Sequence, residues 1–449
     1  MKIKRINSTQ SHPRVLSTGK NSVLGSYDFN TTLVCLESLS KEDLEEMIKH
    51  LHALNLEKKP LSYEAYKTLS KIQPLVVHEY THFFDCTSTV WGAKYLSMMA
   101  KAYEADNLNY GGIEKDFHYA KRFYDLLKFL RLPEYFTEKT EAIDNVRPWL
   151  YQETMGNRFL SSGQTSNHPI MFIRFLNEDS ELLVRSPIST ISLLECTAMA
   201  QEIDKTIQLI QLSSEPSKTI EAKRYNKKIF DYIYNREITE YSVCAHLMAN
   251  QYSEPDIHLT YQASALLCRM VLNTPSSIYL QIVEEFNFGS LFSSLPWITK
   301  IKLGLDYLDC GILYYLVCKA MPKGKLENLD SMFSLILGAY NRLGVSYEHL
   351  KAESEKEFLE YSHAAATSKI SSISKIAKAG QKNYSLTDWN KIRLDFHLLS
   401  LPRALLGDSN QAHFFPRDEN SLDLGDIEQI YNELVTGQLW TERFAEACN

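Results

Sequence analysis

The sequence predicts a mainly α fold, an α+β chain with a few short strands. Three observations predict it. Apolar residues recur at helical spacing through most of the chain. Alternating, strand-like patterns appear in only two places, at 31–38 and across 170–185. Beyond residue 189 the chain is almost wholly a succession of helical segments separated by turn signals.

In order, residues 1–29 are polar and rich in turn formers, which predicts a loosely ordered lead-in. "TTLVCLES" (31–38) is the first strand. In "SKEDLEEMIKHLHAL", Ser40 and Asp43 resemble a cap, and Leu44, Met47 and Leu51 mark one helical face. "LSYEAYKTLSKI" is a second helix. Pro74 suits the first turn of a third, where its missing N–H is not needed, and that helix is expected to run through Trp91 to about Ala105. Residues 114–131 are helical by periodicity, whereas 132–168 hold several turn signals and read as irregular. "IMFIRFL" (170–176) and "ELLVR" (181–185) form a hairpin. Helices follow at 189–211, 219–235, 237–251, 258–272 and 276–286, and 289–449 is a second helical block. No internal repeat is present.

Composition excludes several classes of function. The chain has 449 residues, 44% of them hydrophobic, enough for a large core or two domains. Its 48 basic residues against 55 acidic ones argue against a protein held to nucleic acid by phosphate contacts. The first thirty residues contain no apolar run of signal-peptide length, so the expected location is cytoplasmic. The longest apolar stretch, 303–321, carries Asp306, Asp309 and Lys319, which suits a buried helix and not a membrane span. The eight cysteines show no CxxC pair and read as reduced core thiols. No phosphate loop, dinucleotide fingerprint or serine elbow appears. A lysine-rich stretch, 366–382, places Ile370, Ile373 and Ala377 at helical spacing and reads as a solvated helix face.

The motif that carries chemistry lies in "LVVHEYTHFFDC" (75–86). Residues four apart on a helix share a face, so His78 and His82 can present both imidazoles to one ion. A catalytic zinc site keeps three protein ligands and one open position for water. Glu79, about 100° round the helix from His78, can lean over that water without binding the metal. There it would act as general base on a water whose pKa the metal lowers to about 7. The competing explanation is a helix with two satisfied core histidines. The uncharged flanks speak against it, because a glutamate buried among them is costly without a partner.

"HEYTH" resembles the signature helix of the zincin metallopeptidases. Within that clan the gluzincins take a third ligand from a glutamate that opens an E-x-x-A stretch on a later helix. The best match is "SLLECTAMAQE", with Glu195 as the ligand and Ala198 as the small residue. Cys196 stands where many such proteins have glycine. The resemblance implies Zn²⁺ held by His78, His82 and Glu195, with 132–168 and the hairpin as insertions. It also implies a zincin-like core over 31–288, a lead-in over 1–30, and a helical accessory region over 289–449.

Glu202, two turns beyond Glu195, is the rival ligand or a group behind the ligands; Glu237 and Glu240 are more distant rivals. Asp85 shares the face of the two histidines. Related enzymes often have a carboxylate near there that accepts the second imidazole N–H, although an aspartate can equally be solvated or capping. Tyr241, His246 and Tyr261 are candidates for stabilising an oxyanion. Cys86 and Cys196 adjoin both halves of the site and read as inert packing.

The leading expectation is an intracellular zinc-dependent metallopeptidase that cleaves a specific protein or peptide substrate, with an activating or regulatory partner a further expectation. Toxin, stress and phage-defence proteases share this make-up by analogy. The alternatives are a helical binding or scaffold protein with a structural or vestigial zinc site, and a zinc hydrolase acting on a non-peptide amide.

Overall fold

The computed structural model describes residues 24–57, 60–130, 132, 134–160, 163–254, 256–415 and 422–448. The fold is mainly α, as the helical periodicity predicts. Most of the expected lead-in lies outside the described residues. What is described of it enters a short strand, β1 (Ser26–Tyr27), antiparallel to β2 (Val34–Leu36). The cap expected for the first helix, α1 (Lys41–Glu57), is present: Asp43 Oδ2 accepts from the Ser40 amide at 3.0 Å, and Ser40 Oγ accepts from the Asp43 amide at 3.3 Å.

The second and third expected helices are one. α2 (Tyr63–Thr87) runs straight through Pro74, with Ser62 as its N-cap. A proline inside a helix forfeits one backbone hydrogen bond and costs about 3 kcal/mol. Here Leu69, Ile72, Leu75, Val76 and Val77 are buried on either side of Pro74, and burying such side chains is worth roughly 1.5–3 kcal/mol each. Packing of the continuous rod outweighs the break. The helix also stops sooner than expected. Thr89 is extended and its side chain accepts from the Gly92 amide, so a separate helix, α3 (Val90–Glu104), starts there. α4 (His118–Leu130) follows as the periodicity predicts.

Residues 132–168 are not irregular throughout. After β3 (Glu138–Lys139) they contain a ten-residue strand, β4 (Leu150–Phe159). It pairs antiparallel with β5 (Thr165–Leu176), which pairs with β6 (Leu182–Ile188), so the expected hairpin is the centre of a sheet ordered β3-β6-β5-β4. β4 escapes pattern recognition because it is half-covered on both faces and is interrupted by Gly156.

The helices beyond fall close to their expected places: α5 (Thr190–Leu212), α6 (Ser217–Ile233), α7 (Val243–Tyr252), α8 (Ile257–Leu272) and α9 (Ser276–Glu285). A short 3-10 helix, Arg236–Tyr241, precedes α7. The apolar run 303–321 is divided between the end of α10 (Leu295–Asp306) and the buried α11 (Cys310–Ala320), which Asp309 caps. No described helix is long and apolar enough to cross a membrane.

α12 (Leu329–Arg342), α13 (Tyr347–Ala366) and α14 (Ser371–Ser385) lead to β7 (Ala404–Leu406), β8 (Gln411–Ala412) and α15 (Ile427–Ala447). β7 pairs in parallel with β2 and closes a second sheet, β1-β2-β7-β8. Residues 289–449, expected as an accessory region, therefore share cores with what precedes them. One core joins the motif helix to Ile373, Ile376, Leu406 and Leu434; the other joins α5 and α8 to α11 and α12. The lysine-rich stretch is α14, with Ile370, Ile373, Ile376 and Ala377 in the first of these cores.

The end of α2 is gripped by backbone on two sides. A methyl group on Gly92 would sit 2.5 Å from the Asp85 carbonyl oxygen, and one on Gly380 of α14 would sit 2.2 Å from that of Thr87. Gly380→Val should consequently destabilise the chain by about 1–3 kcal/mol through overpacking. Its denaturant midpoint should fall relative to the parent; an unchanged midpoint would mean that α14 does not press on α2.

Candidate metal centre

Two helices supply the donors. α2 presents His78 and His82 one turn apart, their ring centroids 5.0 Å from each other. α5 is started firmly by a capping box between Ser189 and Ser192, and Glu195 follows one turn later. Its Oε2 lies 3.3 Å from His78 Nε2 and 3.4 Å from His82 Nε2. One ligand atom from each of the three residues lies within 4.8 Å of the others, and among the described residues this is the group that could hold a metal ion.

The donor set fits zinc. Two ligand atoms each bound at about 2.0–2.1 Å to a tetrahedral ion stand roughly 3.3 Å apart, close to the separations from Glu195 to both imidazoles. The site is dry: His78, His82 and Glu195 expose 1%, 4% and 2% of their surface. Burial alone would push the Glu195 carboxyl up, but the facing His82 and His78 rings hold it well below the usual carboxylate range. It is therefore an anion, as a metal ligand must be.

Glu202, the rival, faces the other side of His78, with Oε2 3.1 Å from Nδ1. A carboxylate there fixes the tautomer and leaves Nε2 to face Glu195. Glu237 is exposed and paired with Lys139 at 2.5 Å. Asp85 is neither solvated nor a cap. It is fully buried, accepts from Thr197 Oγ1 at 2.5 Å, and lies 3.7 Å from Arg269 Nε of α8. Burial pushes the Asp85 carboxyl up and the Arg269 guanidinium down, each offset in part by the other. His82 Nδ1 and Asp85 Oδ1 are buried without hydrogen-bond partners.

Glu79 is 2% exposed. Tyr241 lies at the site, its ring 6.4 Å from that of His78. Burial foremost, and then the charges of Glu195 and Glu79, raise its phenol well above the usual value, so it remains a proton donor. The other two oxyanion candidates are elsewhere engaged. Tyr261 donates to the Tyr241 carbonyl at 3.0 Å. His246 sits in an aromatic box of Trp149, Phe175 and Tyr234, with Nε2 3.0 Å from the Ile233 carbonyl. Cys86 is buried and its thiol is pushed well up by burial, while Cys196 faces Cys244, Cys268 and Ser264 in the core.

Sequence reasoning did not single out Arg269 and Thr197. Arg269 left one sign: it is a lone charge inside the apolar run "ALLCRMVL", and a buried charge requires a partner.

No protein-family model matches this chain, and no curated protein or solved structure matches it.

Glu195→Gln should leave purified protein nearly free of zinc, whereas Glu202→Gln should weaken zinc binding about 10–100-fold and keep full loading at saturation. Undiminished zinc in the Glu195 variant would remove it from the ligand set. Burial also lowers the His246 imidazole from 6.5 to about 4. The unfolded chain then binds the extra proton between these values, so stability rises with pH from about 4 to 6.5, by on the order of 3 kcal/mol. In His246→Phe that part of the slope should vanish; identical pH profiles would show that the imidazole is not held neutral by burial.

Proposed function

We propose that the chain is a zinc metallopeptidase of the zincin type, gluzincin in its ligand set, acting on a protein or peptide substrate. The observation that carries this is the Glu195 carboxylate facing both imidazoles of the HExxH helix at ligand–ligand spacing. His78, His82 and Glu195 would hold the ion, with Glu202 behind His78. Bound zinc supplies Lewis acidity toward the scissile carbonyl and acidifies water at the open position.

The chain's own residues supply the rest. Glu79 stands beside His78 on the helix but outside the donor group, as a general base must. It takes a proton from water and returns it to the leaving amine. Tyr241, whose phenol is kept protonated by burial and by the charges around it, would donate to the oxygen on which negative charge develops. Exclusion of water strengthens each of these interactions.

One observation favours a second reading, a helical binding or scaffold protein with a structural zinc site: the three donors are almost fully buried, and structural sites are closed. Glu79→Gln separates the two. A peptidase variant should retain zinc and cleave about 10²–10⁴-fold more slowly, read on substrates found by mapping new N-termini in a proteome treated with zinc-loaded protein. If the parent creates no new termini, or the variant creates the same ones, the peptidase reading fails.

A further inference from the structure

A cavity of about 360 Å³ opens between the end of α6, α7 and the start of α8. Small-molecule pockets span roughly 300–1,000 Å³ and are mostly apolar, with a few placed polar groups. Here three rings lead inward from the surface. Phe230 is 42% exposed and its ring lies 5.0 Å from that of Tyr234. The Tyr234 ring lies 5.1 Å from that of His246, which is 5% exposed. The Arg147 guanidinium sits over the Phe230 and Tyr234 rings, at 5.7 and 4.8 Å. Asp144 at 3.2 Å and Asp231 at 4.0 Å answer its charge. The guanidinium thus adds a flat stacking surface and little net pull on an anion.

The buried end carries the polarity. His246 Nε2 faces the Ile233 carbonyl at 3.0 Å. A carbonyl oxygen only accepts, so Nε2 holds the ring proton. Burial keeps the imidazole neutral, and a neutral ring protonated at Nε2 has its lone pair on Nδ1. Among the described residues no hydrogen bond engages that atom. The neighbouring groups have also committed donors. Asn250 Nδ2 gives to the His246 carbonyl and Thr260 Oγ1 to the Asp256 carbonyl, each at 2.8 Å. What α7 and α8 have left to offer is chiefly acceptors: His246 Nδ1, Asn250 Oδ1 and Thr260 Oγ1.

We propose that this cavity is a binding site for a neutral, planar aromatic ligand bearing an N–H donor, which stacks among Phe230, Tyr234 and Arg147 and gives its proton to His246 Nδ1. None of the residues lining the cavity belongs to the His78, His82 and Glu195 group, so the site stands whether or not the chain is a peptidase. A buried acceptor discriminates sharply, because a ring of the same shape without the donor leaves it unpaired away from water.

The test is calorimetric titration of the purified full chain with three probes: indole, benzofuran (an oxygen in place of the N–H) and the anion benzoate. Indole should bind with a Kd below about 1 mM and benzofuran about tenfold more weakly or worse, while benzoate gives no measurable heat. Two variants locate the binding, and either suffices should the other not fold. Ala249→Phe, on the half-buried cavity wall of α7, should fill the space and abolish indole binding. His246→Phe should take indole and benzofuran alike. A parent that ignores indole, or that binds benzofuran or benzoate as tightly, overturns the proposal. So does a folded Ala249→Phe that binds indole undiminished, or a folded His246→Phe that still prefers it.

Discussion

The structure depends on how α2 and α5 meet. Polar links cross between them: His78 and His82 to Glu195, His78 to Glu202, and Asp85 to Thr197. From Pro74 to Thr87 every residue of α2 is buried, and most of the others are apolar. Charges taken out of water at this depth carry a penalty of several kcal/mol per ion, which Coulomb attraction offsets only when partners are close and well oriented. A hydrophobic interface would tolerate sliding or rotation of one helix against the other. This one does not, because moving either helix strands a carboxylate in a dry core. The donor geometry is thus a consequence of the packing constraint, and His82 Nδ1 and Asp85 Oδ1 mark where that constraint is least satisfied.

What was legible in the sequence follows from range. His78, Glu79 and His82 share one helix, so their relative placement follows from helical pitch alone. Glu195 was reachable through an E-x-x-A stretch opening a helix of its own, and its fully buried Ala198 suits a close helix approach. Long-range features left weaker traces. The β2–β7 pairing joins Val34 to Ala404, and nothing local in either three-residue strand specifies it. β4 lacks clean alternation because it is half-covered on both faces. Pro74 misled because a local preference for the first turn of a helix was overridden by burial along a continuous rod. Gly25 is a residue whose importance lies in what it lacks, and only coordinates reveal what sits against it.

The C-terminal half of the chain bears on the site through Arg269. This guanidinium is buried against the Phe84 ring at 5.4 Å and near Asp85, and its Nη1 donates to the Ile392 carbonyl at 2.7 Å. Gln201, on α5 between Glu195 and Glu202, donates to the same Ile392 oxygen at 2.5 Å and accepts from the Leu394 amide at 3.2 Å. Arg393 then pairs with Asp204 at 2.8 Å. The segment 391–394 therefore bonds both α8 and α5. A stretch of irregular chain far from the motif in sequence thereby fixes the far side of the helix that carries Glu195. Residues 289–449 thus contribute bonds to Arg269 and to Gln201, on the two helices that flank the His78, His82 and Glu195 group.

Rigidity on that side sharpens the question of entry. α5 is held by its capping box, by α2 and by 391–394. α2 is held by Gly92 and Gly380 pressing on its last turn. Elements fastened on several faces open only with much of the fold, whereas a segment fastened by a few hydrogen bonds opens at a small fraction of that free energy. Gly25 comes close to Glu79, and the Tyr27 ring lies 6.3 Å from that of His82.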